Sequence, residues 1–443
     1  MIFETDQQTL NDLNILGKYK ANSIYSLFCQ TVTEGGEVLL EQMFMNPLTD
    51  AAKIEERVAE FRWFEQYGKE FPLDSEASGE VEHYLMTSGF KMLPKIYEAC
   101  KFRMLELIGN DPALELWREQ VTQVIRYLCQ VKEYVNSLHP SVESTPLKKQ
   151  VQEVRRTLNN ENMSELFRYG EKKKMSLKQL VRSDRILLAF ERGALQEVLE
   201  FVHRVDVDTV VGRVARERHF CFAETTDKND INIQIEGVSH PCLTKAVSNN
   251  MEITPERNLF FLTGANMAGK STLMKSFGIA VYMAHMGFPV AAKRMRFRVQ
   301  QGMYTSINVS DNLSMGYSHF YAEVLRVKKV AIEVSRNKQL VVIFDELFKG
   351  TNVKDAYDAT LLVADALAER QNCSLLISTH IIEVAEELKK KRDNINYEYL
   401  PTVMKGSVPT YTYKLEPGVT RDKHGMIILK NERVVETILG ENK

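Results

Sequence analysis

The sequence predicts an all-α N-terminal domain followed by an α/β domain with a mainly parallel central sheet. Three observations carry this prediction. Before about residue 225 glycine is scarce and apolar residues recur at helical spacing; beyond it, short apolar runs of strand length alternate with amphipathic segments. Between the first of those strands and the helix after it lies a glycine-rich loop ending in Lys-Ser.

The helical half is read from stripes. Ile54, Val58, Phe61 and Phe64 follow one another at intervals of four, three and three behind a Thr49–Asp50 N-cap. Leu147, Val151, Val154 and Leu158 repeat the spacing after Ser144-Thr145-Pro146, which reads as a cap with proline in the first turn. Leu195, Val198, Leu199 and Val202 form a third stripe. The polar stretch Thr225–Asn232 reads as a linker, giving boundaries of 1–224, 225–236 and 237–443. In the second half Leu259–Thr263, Leu340–Phe344 and Ser374–Ile377 are the expected buried strands. Helices are expected near Ser271–Met286, Ser318–Arg336, Asp355–Arg370 and Ile381–Lys391.

Length and composition bound the function classes. A chain of 443 residues has room for two or three domains, each with its own core. With 57 basic against 59 acidic residues, any basic surface must be local. The six cysteines are widely spaced, with no C-x-x-C pair, so neither a zinc site nor a disulfide framework is expected. The N-terminus has no signal-peptide pattern, and no apolar run is long enough to span a membrane. A cytoplasmic protein is expected.

Chemistry is concentrated in three strand ends. Gly264-Ala-Asn266-Met267-Ala-Gly269-Lys270-Ser271 fits G-x-x-x-x-G-K-[ST] in full, between a strand and a helix, as a phosphate loop requires. Its backbone N–H groups and the helix N-terminus would cradle phosphates of ATP. Lys270 would reach the β- and γ-phosphates, and Ser271 would ligate Mg²⁺. Leu340–Phe344 runs into Asp345-Glu346, the Walker B form, with Asp345 on Mg²⁺ and Glu346 activating the attacking water. His380 ends the third strand, where it is either structural or placed to touch the γ-phosphate or the attacking water.

These residues resemble the MutS-type DNA mismatch-repair ATPases, a branch of the ABC ATPase superfamily. Gly264–Thr272 is similar to the family's GPNMGGKST loop, and Gly237-Val-Ser-His240-Pro241 to the G-R-H-P opening of its ATPase domain. Met286–Ala292 resembles the segment after its first helix. Ser310–Glu323 resembles its D-D-L-x-x-G-x-S-T-F-x-x-E signature, Asp345–Thr351 its D-E-x-x-x-G-T, and Ser378-Thr379-His380 its A-T-H. In the N-terminal half, Thr31–Gly36 through Leu39-Leu40 and Asn46–Asp50 look like the opening of its helical core, and Asp206-Val-Asp-Thr-Val like its L-D-V-L-A run. The resemblance covers about residues 6–439.

The resemblance implies a helical core or lever domain followed by an ABC-type P-loop ATPase domain, working as a homodimer with ATP and Mg²⁺. Ser318 would dock in trans on the γ-phosphate held by the partner subunit; read alone, it is a plain N-cap serine. Asn266, Met267 and Thr272 follow the loop pattern as nucleotide contacts, Tyr413 falls where the family places a ring near adenine, and His380 gains a role in hydrolysis. Counterparts of the family's mismatch-reading domain, connector and C-terminal helix-turn-helix are not found, so a truncated form is expected. Tyr317 and His319 in the signature, and Ser306 and Asn308 in the preceding segment, depart from the family pattern and bear on turnover and coupling.

The densest basic stretch, Lys148–Arg185, holds eleven basic and five acidic residues, a net of +6. Lys148, Lys149, Arg155, Arg156, Lys172, Lys173, Lys174, Lys178 and Arg182 fall where the family's levers approach DNA, and contacts there would be to phosphates. The same pattern fits solvated faces of long helices. Two functions stay open: a DNA-binding ATPase that moves levers on DNA, and an ATP-dependent protein-assembly or recombination-control module that makes no DNA contact. A phosphate-loop kinase has no use for the signature and D-E-x-x-x-G-T segments.

Overall fold

A computed structural model describes residues 2–439 apart from 18–21, 74, 89–111, 171–173, 190–191, 228–229, 308–318, 406–407 and 421–433. The backbone forms two compact units. One comprises Met1–Leu27, Phe44–Val58 and Arg218–Lys443; the other comprises Phe28–Met43 and Ala59–Glu217. No helix among the described residues is long and apolar enough to cross a membrane.

In the second unit every regular element among the described residues is helical. Helix Pro112–Ser137 starts with proline at its first position, where the missing N–H costs nothing. Leu114, Val121, Val124, Ile125, Leu128, Val131 and Val135 make its buried stripe. Helices Lys148–Leu158, Glu161–Gly170 and Leu177–Ala189 pack on it. The expected stripe Leu147, Val151, Val154 and Leu158 is buried. The expected cap is different: Leu147 is the N-cap residue and makes no side-chain cap bond, while Ser144 closes a 3₁₀ turn over Pro140–Ser144. Helix Ala51–Tyr67 does use Asp50, whose Oδ1 accepts from Ala52 N at 3.0 Å.

The first unit is built on a six-stranded sheet. Its strands lie in the order Glu416–Pro417, Ile395–Leu400, Leu259–Gly264, Ser374–Ser378, Leu340–Asp345, Gly302–Ser306, all neighbours parallel except the first pair. Leu259–Gly264, Leu340–Asp345 and Ser374–Ser378 are buried throughout, which their continuous apolar runs require of strands covered on both faces. Register aligns Ser378 with both Asp345 and Leu262, so three carboxyl ends lie side by side. In open parallel sheets ligands bind in the crevice beyond such ends.

The edge strand Gly302–Ser306 carries the start of the chain. Glu4 bridges Gly302, with Glu4 N donating to Gln301 O at 2.9 Å and Met303 N to Glu4 O at 2.8 Å. A second sheet, ordered Glu224–Thr225, Arg294–Phe297, Ile233–Val238, Asn249–Ile253, includes both ends of the segment read as the linker.

Candidate nucleotide site

The loop between strand Leu259–Gly264 and helix Lys270–Met286 is shaped by left-handed residues. Gly264 has φ +151° and Gly269, the N-cap of the helix, has φ +100°. A side chain at Gly269 would bring Cβ within 3.0 Å of the Tyr413 ring, so glycine there meets both a conformational and a steric demand. Met267, also left-handed at φ +71°, is 78% exposed, and Asn266 is exposed beside it.

Lys270 is buried, and its Nζ donates to Gly264 O at 2.9 Å and Ala265 O at 3.3 Å, folding the side chain back along its own loop. The same ammonium lies 3.3 Å from Glu346 Oε1. Ser271 Oγ donates to Asp345 Oδ2, and Ser378 Oγ donates to Asp345 Oδ1. The end of strand Leu340–Asp345 is thereby tied to the neighbouring strand Ser374–Ser378 and to the first turn of helix Lys270–Met286. A serine hydroxyl and a carboxylate oxygen brought into contact form the hard oxygen set that Mg²⁺ takes, so these residues fit that ion.

Glu346 follows in a left-handed backbone, φ +51°, with its N–H donating to Ser378 O at 3.1 Å. Burial pushes its carboxyl up, but Lys270 and Lys349 outweigh burial and hold it below the ordinary glutamate value. Lys349 Nζ lies 3.2 Å from Glu346 Oε2. His380 is exposed just beyond Ser378 and Thr379; Thr379 N donates to Leu262 O at 3.1 Å, locking that turn to the adjacent strand.

A cavity of about 330 Å³ opens beside the loop, and its lining includes Gly269, Thr272, Leu273, Leu400, Val247 and Tyr413. Tyr413, left-handed at φ +56°, is fixed through its carbonyl, which accepts from Asn249 Nδ2 at 2.9 Å. Asn249 Oδ1 in turn accepts from Leu415 N at 2.9 Å.

The structure thus brings together Gly264, Gly269, Lys270, Ser271, Asp345 and Glu346, with Thr272 and Tyr413 bordering the adjoining cavity. Ser318, Tyr317, Asn308, Lys172 and Lys173 lie outside the described residues. The sequence did not single out Ser378 and Lys349, which the structure places against Asp345 and Glu346; Ser378 stood in the A-T-H-like segment, and Lys349 lay within the D-E-x-x-x-G-T match.

In the helical unit the basic residues are distributed rather than pooled. Lys148, Lys149, Arg156 and Lys178 are exposed. Arg155 pairs with Glu143 at 3.1 Å, Lys174 with Glu115 at 2.7 Å and Arg182 with Glu165 at 3.2 Å.

Residues 260–443 match the family of MutS domain V. Curated relatives include the DNA mismatch repair protein MutS of Geobacillus sp. (strain WCH70), 26% identical over 52% of this chain and 27% of its own length. That of Lactococcus lactis subsp. cremoris (strain SK11) is 27% identical over 56% of this chain and 30% of its own, and that of Streptococcus suis (strain 98HAH33) 24% identical over 56% and 29%. The chain spans under a third of the length of these relatives. Residues 260–443 are therefore similar to MutS domain V.

Proposed function

We propose that the chain is a cytoplasmic, Mg²⁺-dependent ATPase with an ABC-type P-loop domain and an all-α lever domain, and that ATP-driven homodimerisation moves the levers on DNA. The observation that supports the chemistry best is the convergence of Lys270, Ser271, Asp345 and Glu346 at adjoining carboxyl ends of parallel strands in one sheet. Lys270 turns from Gly264 O and Ala265 O to the β- and γ-phosphates, a move its long side chain allows without shifting the backbone. Ser271 and Asp345 hold Mg²⁺, which when bound neutralises charge on the phosphate oxygens. Glu346 orients and deprotonates water; His380 is set for the γ-phosphate, and Ser318 for the nucleotide of the partner subunit. Asn266, Met267 and Thr272 contact the nucleotide, and Tyr413 borders adenine.

Lys148, Lys149, Arg155, Arg156, Lys172, Lys173, Lys174, Lys178 and Arg182 are the proposed phosphate contacts to DNA. A second reading, a protein-assembly or recombination-control module without DNA contact, is favoured by one observation: Arg155, Lys174 and Arg182 already hold intramolecular carboxylates.

Glu346→Gln protein with and without ATP, followed by size-exclusion chromatography and titration onto duplex, mismatched and branched DNA at two salt concentrations, separates the readings. ATP-dependent dimers that bind DNA at low salt support the first. Dimers that bind no DNA leave the second, and a persistent monomer removes the trans role of Ser318. Lys270→Ala should abolish hydrolysis, and unchanged turnover would refute the site.

A further inference from the structure

Glu346 and Lys349 form an ion pair that an ordinary strand continuation could not make. Along an extended chain, side chains three residues apart face opposite sides. Here Glu346 and Phe348 are both left-handed, at φ +51° and +62°, and the turn brings the Lys349 ammonium back to 3.2 Å from Glu346 Oε2. Each such non-glycine residue costs about 1–2 kcal/mol. Burial of Leu347 and Phe348 beneath the turn, 7% and 3% exposed, holds it in place.

The two cations on Glu346 are not equivalent. The Lys270 side chain is 4% exposed and sits on Oε1, whereas the Lys349 side chain is 42% exposed and sits on Oε2. The assigned role of Lys270 takes it to phosphate, which frees Oε1. Lys349 has no such competing assignment, so its grip on Oε2 persists and leaves Oε1 facing the crevice.

We propose that Lys349 is a positioning residue for Glu346, holding one carboxylate oxygen so that the other is presented to the attacking water once Lys270 has moved to the nucleotide. The proposal rests on the ATPase reading and on Glu346 as its base. It adds a residue that touches neither phosphate nor metal and acts only through the glutamate. Loss of this grip leaves the carboxylate free to rotate while nucleotide binding is untouched.

Steady-state ATP hydrolysis and equilibrium binding of a fluorescent ATP analogue should be measured for K349A, K349M, K349R, E346Q and K349A/E346Q. Expected is a kcat lowered about tenfold or more in K349A and K349M, within the ~10²-fold that a misplaced reacting group can cost. KM and analogue affinity should stay within about twofold of wild type, since transition-state interactions alone are lost. K349R should recover most of kcat, and K349A/E346Q should be no slower than E346Q. An unchanged or raised kcat in both K349A and K349M would overturn the proposal. So would a raised KM at unchanged kcat, which would make Lys349 a nucleotide ligand. Wild-type turnover by E346Q would instead overturn the base assignment, a failure distinguishable from that of Lys349.

Discussion

Replacing Asp6 by alanine should lower the melting temperature of the sheet-containing unit by roughly 6–9 °C. Asp6 Oδ1 caps helix Gln7–Asp12 by accepting from Thr9 N at 3.0 Å and also takes the Thr9 hydroxyl at 2.9 Å. Its other oxygen receives Arg326 Nη1 and, at 2.7 Å, Lys329 Nζ. Losing the cap costs about 1 kcal/mol. Stripping a carboxylate from a fully buried arginine costs about 3–5 kcal/mol. The Arg326 side chain is 10% exposed and keeps Thr305 O through Nε at 3.1 Å, so about 2 kcal/mol is the share expected here. A total near 3 kcal/mol converts at about 2–3 °C per kcal/mol for a unit of this size. The sign with pH is fixed. Burial pushes the Asp6 carboxyl up, but Arg326 and Lys329 outweigh it and hold the group far below the ordinary aspartate range. The stabilisation is therefore present above the unfolded value of about 4 and fades as pH falls below it. Differential scanning calorimetry of wild type, D6A, R326A and the double variant at pH 7 measures the coupling. A D6A shift under about 2 °C, or strictly additive single losses, would refute the reasoning.

Other perturbations test separate parts of the molecule. His285 is fully buried, with Nε2 accepting from Gln300 N at 2.9 Å and Nδ1 against Val281 O at 2.8 Å; burial depresses it to about 4. A lowered histidine loses stability as pH falls through the unfolded value of ~6.5, so wild type should lose about 2 kcal/mol more than H285Q between pH 7 and pH 5 in urea titrations, and parallel losses would count against it. In the helical unit Asp206 accepts from Val32 N at 2.9 Å and from Thr33 N and Oγ1 at 2.8 Å each. Asp206→Ala leaves these donors bare and should cost roughly 3 kcal/mol against about 1 for Asp206→Asn, an order that equal denaturation midpoints would contradict. Gly269→Ala forces a Cβ into a left-handed position beside Tyr413 and should weaken ATP binding by about tenfold in calorimetric titration, while native-like affinity would show the loop can absorb it.

Where local sequence determined structure, it was legible. Leu340–Asp345 announces itself because both faces are buried and every position is apolar up to the acid, and the loop at Gly264–Ser271 because left-handed positions demand glycine. Strand Ile395–Leu400 escaped notice because its middle positions Asn396, Tyr397, Glu398 and Tyr399 are only half-buried, so no continuous apolar run marks it. The attachment of residues 1–27 to the sheet-containing unit was illegible for a different reason. Glu4, Asp6 and Asp12 look like ordinary surface acids, and their meaning comes from partners about 300 residues away: Lys338, Arg326 and Thr305. Asp12 Oδ2 accepts both the Thr305 hydroxyl at 2.7 Å and Ile307 N at 2.8 Å, a pairing no local pattern encodes.

The basic stretch shows why a charge count and a field are different quantities. A net of +6 over Lys148–Arg185 counts the carboxylates inside that window, yet Arg155 and Lys174 are paired with Glu143 and Glu115, which lie outside it. The structure lowers the local field below what the segment alone implies, and this weakens the case for DNA there. The effect is bounded, however. All three pairs have at least one partner whose side chain is more than a third exposed, and exposed pairs contribute about 0–1 kcal/mol. A phosphate backbone that takes such a cation from its carboxylate therefore loses little, while each neutralised phosphate releases most of a condensed counterion. Lys148, Lys149, Arg156 and Lys178 are exposed, and no carboxylate pairing offsets them among the described residues. Intramolecular pairing in the helical unit thus weakens the argument for DNA without reversing it, and the salt dependence of binding, rather than the charge count, is the quantity that separates the two readings.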